Sequence, residues 1–81
     1  MFYVYVIKSI KDGRVYVGHT SNLKKRFVEH NNGLVPSTKK RRPFKLLYYE
    51  GCNILEDAIK RERGLKTGFG RRYLKQRLSD K

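Results

Sequence analysis

The sequence predicts an α+β fold: a small three-stranded antiparallel sheet flanked by helices, in the order strand, strand, helix, strand, helix, helix. Three observations carry this. Two runs of alternating β-branched and aromatic residues flank an Asp-Gly turn near the start of the chain. Two later stretches repeat their apolar residues at the helical period. The 81 residues allow one thin-cored domain spanning the whole chain, 1–81.

In the first strand, Phe2 to Ile7, alternation puts Tyr3, Tyr5 and Ile7 on one face and Phe2, Val4 and Val6 on the other. Asp12-Gly13 marks the turn into an antiparallel strand from Arg14 to Gly18, where Tyr16 points away from Val15 and Val17. Ser21 is the expected N-cap of a helix from Asn22 to about Asn31, ended by Asn32-Gly33 in a left-handed turn. Leu23, Arg26, Phe27 and His30 share one face of that helix. After a polar loop from Pro36 to Pro43 comes a third strand, Phe44 to Glu50, and a second helix from about Ile54 to Lys66. Thr67-Gly68-Phe69-Gly70 should break the chain before a short basic helix, Arg71 to Leu78.

Charge narrows the function. Twenty Lys and Arg stand against 7 acids, a formal net charge of +13, which points to a polyanionic partner. A chain this short buries only about 60% of its unfolded surface, so an active site should be a shallow groove. One cysteine, Cys52, forms no internal disulfide, and an intracellular, cytoplasmic setting fits it. With only His19 and His30 beside Cys52, a structural zinc site has too few good ligands. The apolar start stops at Lys8, short of a membrane span and without the features of a signal peptide. No membrane partner is expected.

Certain residues break the packing pattern. Glu62 lies near the centre of the second helix's apolar stripe, Leu55, Ala58, Ile59 and Leu65, where a carboxylate is costly unless paired, hydrogen-bonded or bound to a cation. A structural pair with Lys66 or Arg26 accounts for it as well as a metal does. Arg26 and His30 sit one turn apart, and a guanidinium grips phosphate through two parallel hydrogen bonds. Tyr5 and Tyr16 occupy neighbouring strands, where cross-strand packing alone explains aromatic residues. Lys39, Lys40, Arg41 and Arg42 form a basic loop run suited to phosphate, and Arg71, Arg72 and Tyr73, with Lys75, Gln76 and Arg77, mix base and aromatic as nucleic-acid surfaces do. A solvated helix face explains the last group equally.

These residues resemble the GIY-YIG nuclease superfamily. Tyr3-Val4-Tyr5 stands for its first strand motif and Tyr16-Val17-Gly18 for its second. Thr20 to Arg26 looks like its first helix with the motif Arg, His30 falls at the His-or-Tyr position, and Asp57 to Glu62 resembles the second helix with its metal-binding acid. The likeness covers nearly the whole chain and is strongest to small single-domain bacterial members and to the incision domain of the bacterial excinuclease, a DNA-repair enzyme. The departures are Tyr3 for Gly, Val4 for Ile and Val17 for Ile. Tyr3 adds a side chain on the face of Tyr5, altering the groove.

The resemblance implies hydrolysis of DNA phosphodiesters by direct attack of water, with Tyr5, Tyr16, Arg26 and His30 catalytic and Glu62 holding one Mg²⁺ or Mn²⁺. One such ion needs only one protein carboxylate plus substrate phosphate and water. Arg26 would neutralise charge building on the phosphate. Either Tyr16 or His30 takes the proton from water. A phenol needs about 4 kcal/mol of help to ionise at neutral pH, whereas an imidazole titrates there unaided. Two alternatives remain, a non-catalytic basic binding module and a ribonucleoprotein component. RNA stays open as substrate, and so does the choice between monomer and weak dimer.

Overall fold

The computed structural model describes residues 1–78, apart from the side chains of Phe69, Arg77 and Leu78. It contains β1 (Phe2–Ser9), β2 (Val15–Thr20), α1 (Leu23–Asn31), β3 (Phe44–Cys52), α2 (Leu55–Leu65) and α3 (Gly68–Leu78), the expected order. The sheet is antiparallel with order β2-β1-β3, so the first strand is central. Its residues from Val4 to Ile7 are all buried, as befits a strand covered on both faces.

The two faces of β1 build two cores. Val4 and Val6 join Val17, Ala58, Leu65 and Leu74, so α2 and α3 cover one face. Tyr5 and Ile7 join Phe44, with Tyr16, Leu23 and Phe27 packed against them, so α1 covers the other. Glu50 ties β3 to α2, taking a hydrogen bond from Arg61 Nε at 2.7 Å. Asn31 ties α1 to β3: its side chain donates to the Phe44 carbonyl at 3.2 Å and accepts the Phe44 amide at 2.7 Å. Gly33, at φ +77°, makes the left-handed exit from α1 that Asn32-Gly33 predicts.

Three local expectations are corrected. The cap of α1 is Asn22, one residue beyond Ser21. The Thr20 hydroxyl accepts the Asn22 amide at 3.1 Å, which holds Asn22 extended so that its Oδ1 accepts from Lys25 N at 3.1 Å. Asn22→Ala is therefore expected to cost about 1 kcal/mol, read from the urea midpoint, whereas Ser21→Ala should leave that midpoint in place.

The second correction concerns Thr67 to Gly70. The chain does break, at Lys66 and Thr67, but Gly68 to Gly70 already belong to α3. The Thr67 hydroxyl accepts the Gly70 amide at 3.2 Å and donates to the Gly64 carbonyl at 2.6 Å. A Cβ on Gly70 would stand 2.2 Å from that carbonyl oxygen and 2.3 Å from Leu65 Cα. Glycine is there because two helix backbones cross, not because the helix ends.

The third is the polar loop. Lys39 to Arg41 form a 3₁₀ turn, and Thr38 beside it is fully buried. Arg41 is committed to Asp12 at 3.0 Å and stacks over Phe44 at 5.7 Å, while Ser9 donates to its carbonyl. The loop is thus pinned to the β1–β2 hairpin. No described helix is long and apolar enough to cross a membrane.

Candidate active site

The β1–β2 register sets Tyr5 opposite Gly18 and Ile7 opposite Tyr16, so both phenols project from the face that α1 covers. A Cβ on Gly18 would stand 2.6 Å from the Tyr5 hydroxyl and 3.1 Å from the Tyr16 ring. The glycine of the second motif is what lets the Tyr5 hydroxyl lie on β2. From α1, the helical period brings Arg26 and His30 down onto the same place. The His30 ring packs 5.6 Å from Tyr5 and 5.1 Å from Tyr16, centroid to centroid.

Behind the phenols runs a buried polar chain. The Tyr5 hydroxyl lies 2.7 Å from His30 Nε2, and His30 Nδ1 lies 2.8 Å from Thr38 Oγ1. Thr38 in turn donates to the Val35 carbonyl at 3.4 Å. That last bond assigns the tautomer: His30 Nδ1–H donates to Thr38, and Nε2 accepts the Tyr5 proton. Burial, reinforced by the positive charge of Arg26, pushes His30 down to about 4, against a smaller opposing effect of Glu29. His30 is therefore neutral at physiological pH. Burial pushes Tyr5 up to about 12 despite the Arg26 guanidinium bearing on its hydroxyl, so Tyr5 stays a phenol. Arg26 itself pairs with Glu29 one turn on at 3.2 Å, not with Glu62.

Glu62 comes from the other layer. Its Oε1 lies 2.6 Å from His19 Nδ1 and its Oε2 2.8 Å from Lys66 Nζ. Burial works to raise the Glu62 carboxyl, but the hydrogen bonds from Lys66 and His19 outweigh it and the net direction is down. The group is ionised, so His19 Nδ1 carries the shared proton. The two halves of the site meet at consecutive residues of the edge strand β2, whose alternation turns them to opposite faces. Gly18 touches the Tyr5 hydroxyl on one face, and His19 holds Glu62 from the other.

The structure thus gathers Tyr5, Tyr16, Arg26 and His30 under α1, with Glu62 at the β2 edge beside them. It does not gather the basic residues there. Arg71 and Arg72 stand on exposed positions of α3, across the sheet from the phenols. Lys39, Lys40 and Arg42 are exposed on the loop, and Arg42 donates to the Lys39 carbonyl at 3.0 Å. The Arg77 side chain lies outside the described residues. Sequence reasoning passed over His19 and Thr38. His19 was legible in principle, as the polar residue alternating with Val15 and Val17 on the face toward α2.

Among the described residues no group of three or more His, Cys, Asp or Glu is placed to hold a metal ion. To an ion beside Tyr5 these residues offer the Glu62 carboxylate. Glu62 is ionised and partly exposed, with His19 on one oxygen and the 51% exposed Lys66 on the other.

Comparison with known proteins places the fold in a family. The model of the GIY-YIG catalytic domain fits residues 1–78. The chain is 40% identical over 74 residues to a UPF0213 protein of Staphylococcus saprophyticus, covering 90% of this chain and 89% of that one. A UPF0213 protein of Clostridium perfringens is 43% identical over 67 residues, covering 82% and 71%. The solution NMR structure of the UPF0213 protein BH0048 from Bacillus halodurans superposes with a TM-score of 0.57 at 32% identity, covering 100% of this chain and 86% of that one. With both strand motifs, the two helices and the sheet order in place across nearly its full length, the chain belongs to the GIY-YIG catalytic-domain family, a nuclease family whose members generally use a divalent metal.

Proposed function

We propose that the chain is an endonuclease that hydrolyses DNA phosphodiester bonds as one 1–81 unit, working in the cytoplasm. The observation that carries this is the convergence of Tyr16, Arg26 and the Tyr5–His30 pair beside an ionised Glu62, which phosphate binding alone does not require.

Exposure divides the labour. Tyr5 is 1% exposed and His30 not at all, whereas the Arg26 side chain is 37% exposed and Tyr16 is half-buried. Arg26 and Tyr16 therefore meet the substrate. Arg26 neutralises the non-bridging oxygens as charge builds on them, and Tyr16, in its phenolate form, takes the proton of the attacking water. His30, neutral and sealed from solvent, acts through Tyr5 and not on water. It fixes the phenol proton, leaving the Tyr5 oxygen free to orient Arg26. Both are positioning residues. Glu62, steered by His19, would hold one Mg²⁺ or Mn²⁺, which when bound supplies Lewis-acid stabilisation at the leaving oxygen.

The second reading, a non-catalytic binding module, is favoured by one observation: both Glu62 oxygens already have partners. A panel of labelled duplex, flap, branched, damaged and single-stranded DNA, with RNA, incubated with Mg²⁺ or Mn²⁺ and with chelator, separates the two. Branched and damaged DNA come first because the motifs resemble the excinuclease incision domain. The nuclease reading expects chelator-sensitive cuts, reduced about a hundredfold in Tyr16→Phe. Binding without chelator-sensitive cleavage of any member supports the module.

A further inference from the structure

On the face of the sheet that carries the phenols, α1 leaves part of β1 and β3 uncovered. The result is an open groove of about 590 Å³, walled by Tyr3, Leu23, Phe27, Leu46 and Tyr49 with Lys24 at its rim. Such a volume is within the range of small-ligand sites. Tyr49 is 55% exposed, and its ring meets Tyr3 edge-on at 6.3 Å. Tyr3 stands where the first strand motif of the family has glycine, so one wall of the groove is a feature of this chain's own sequence. A second, polar hollow is lined by Lys25, Arg26 and the Glu29 paired with Arg26, two bases to one acid, and shares Ser21 and Asn22 with the first. The two adjoin at these residues, which lead into the N-terminal end of α1.

An aromatic groove with a lysine rim, adjoining an arginine hollow, selects its occupant by chemistry. The occupant must be flat and apolar in one part and anionic in the next. A second copy of this chain is a poor candidate, because each copy carries a formal charge of +13. A nucleic-acid strand satisfies both parts, since every base has a π-face for a tyrosine and each is followed by a phosphate. In a duplex that face is already stacked, so the base must be unpaired.

We propose that this groove stacks an unpaired nucleobase, making the preferred substrate a nucleic acid with a single-stranded nucleotide beside the phosphate held by Arg26. The inference rests on the reading above in placing the phosphate at Arg26.

The test is equilibrium binding of labelled single-stranded oligothymidylate and of a blunt duplex of equal length, by fluorescence anisotropy in chelator. Wild type should bind the single strand more tightly. Tyr49→Ala should lose roughly tenfold on the single strand and less than twofold on the duplex, while Tyr49→Phe retains the wild-type contrast. Thermal melts of both variants should match wild type, because Tyr49 lies half in solvent. Equal weakening on both ligands, or none on either, overturns the proposal. So does self-association seen in sedimentation that Tyr49→Ala abolishes. Cleavage plays no part in the readout. A protein that never cuts DNA yet shows the Tyr49 contrast refutes the nuclease reading alone, and one that cuts without the contrast refutes the groove alone.

Discussion

Glu62→Gln is expected to reduce divalent-dependent cleavage by more than about a thousandfold, since Lewis-acid stabilisation is worth several kcal/mol. DNA binding should persist or tighten slightly. The reasoning begins with charge. Glutamine preserves the shape and one carbonyl acceptor for His19, so the 2.6 Å contact at the β2 edge has a replacement. What disappears is the carboxylate that α2 brings beside Tyr5, the one the nuclease reading gives to the cation, whereas Glu29 stays paired with Arg26. Removing one negative charge from a basic surface also lowers repulsion of phosphate. Gel shift in chelator and cleavage with Mg²⁺ or Mn²⁺ read the two effects separately. Wild-type cleavage by the Gln variant removes Glu62 as the ligand, while loss of both binding and cleavage shows a structural role instead.

Acid should destabilise the fold through His30. Its neutral form is favoured in the folded protein, where burial holds it at about 4 against about 6.5 when unfolded. The sign follows: above pH 6.5 neither state binds this proton and the stabilisation is complete. As pH falls from about 6.5 toward 4, the unfolded chain takes up the proton first, and up to about 3 kcal/mol is lost. The groups facing His30 explain why it resists protonation. Arg26 repels the charge, the Tyr5 hydroxyl donates a hydrogen bond to Nε2, and the Nδ1–H already donates to Thr38, while Glu29 opposes the trend only in part. Urea melts at pH 7, 5.5 and 4 measure the effect. His30→Gln should start less stable at pH 7 and lose less over that range. A wild type equally stable at pH 7 and pH 4 would show that His30 is not held neutral.

Local chemistry made most of the fold legible. Alternation in Phe2 to Ile7 fixes which residues share a face whatever the strand packs against, and the structure divides them into two cores along that line. The stripe Leu23, Arg26, Phe27 and His30 likewise turns toward the sheet. Errors arose where a residue's role was set by a contact that the local pattern does not show. Gly70 reads as a helix breaker locally and proves to be a crossing point with Gly64 and Leu65. Thr38 reads as loop polarity and proves to be buried against a histidine eight residues earlier. Ser21 and Asn22 are equally good caps until the Thr20 hydroxyl decides between them.

The sequence by itself determined the order of strands and helices, the residues on each face, the excess of positive charge, and the family motifs with their candidate side chains. The first three follow from period, composition and spacing, which are local properties of the chain, and the motifs follow from likeness to the family. Only the tertiary structure decided that Glu62 belongs with His19 as well as Lys66, that His30 is sealed behind Tyr5, and that Tyr3 and Tyr49 wall an open groove. Each of those depends on burial and on contacts between elements 25 to 46 residues apart. Desolvation and hydrogen-bond direction set the protonation of such groups, and both are properties of the packed state alone.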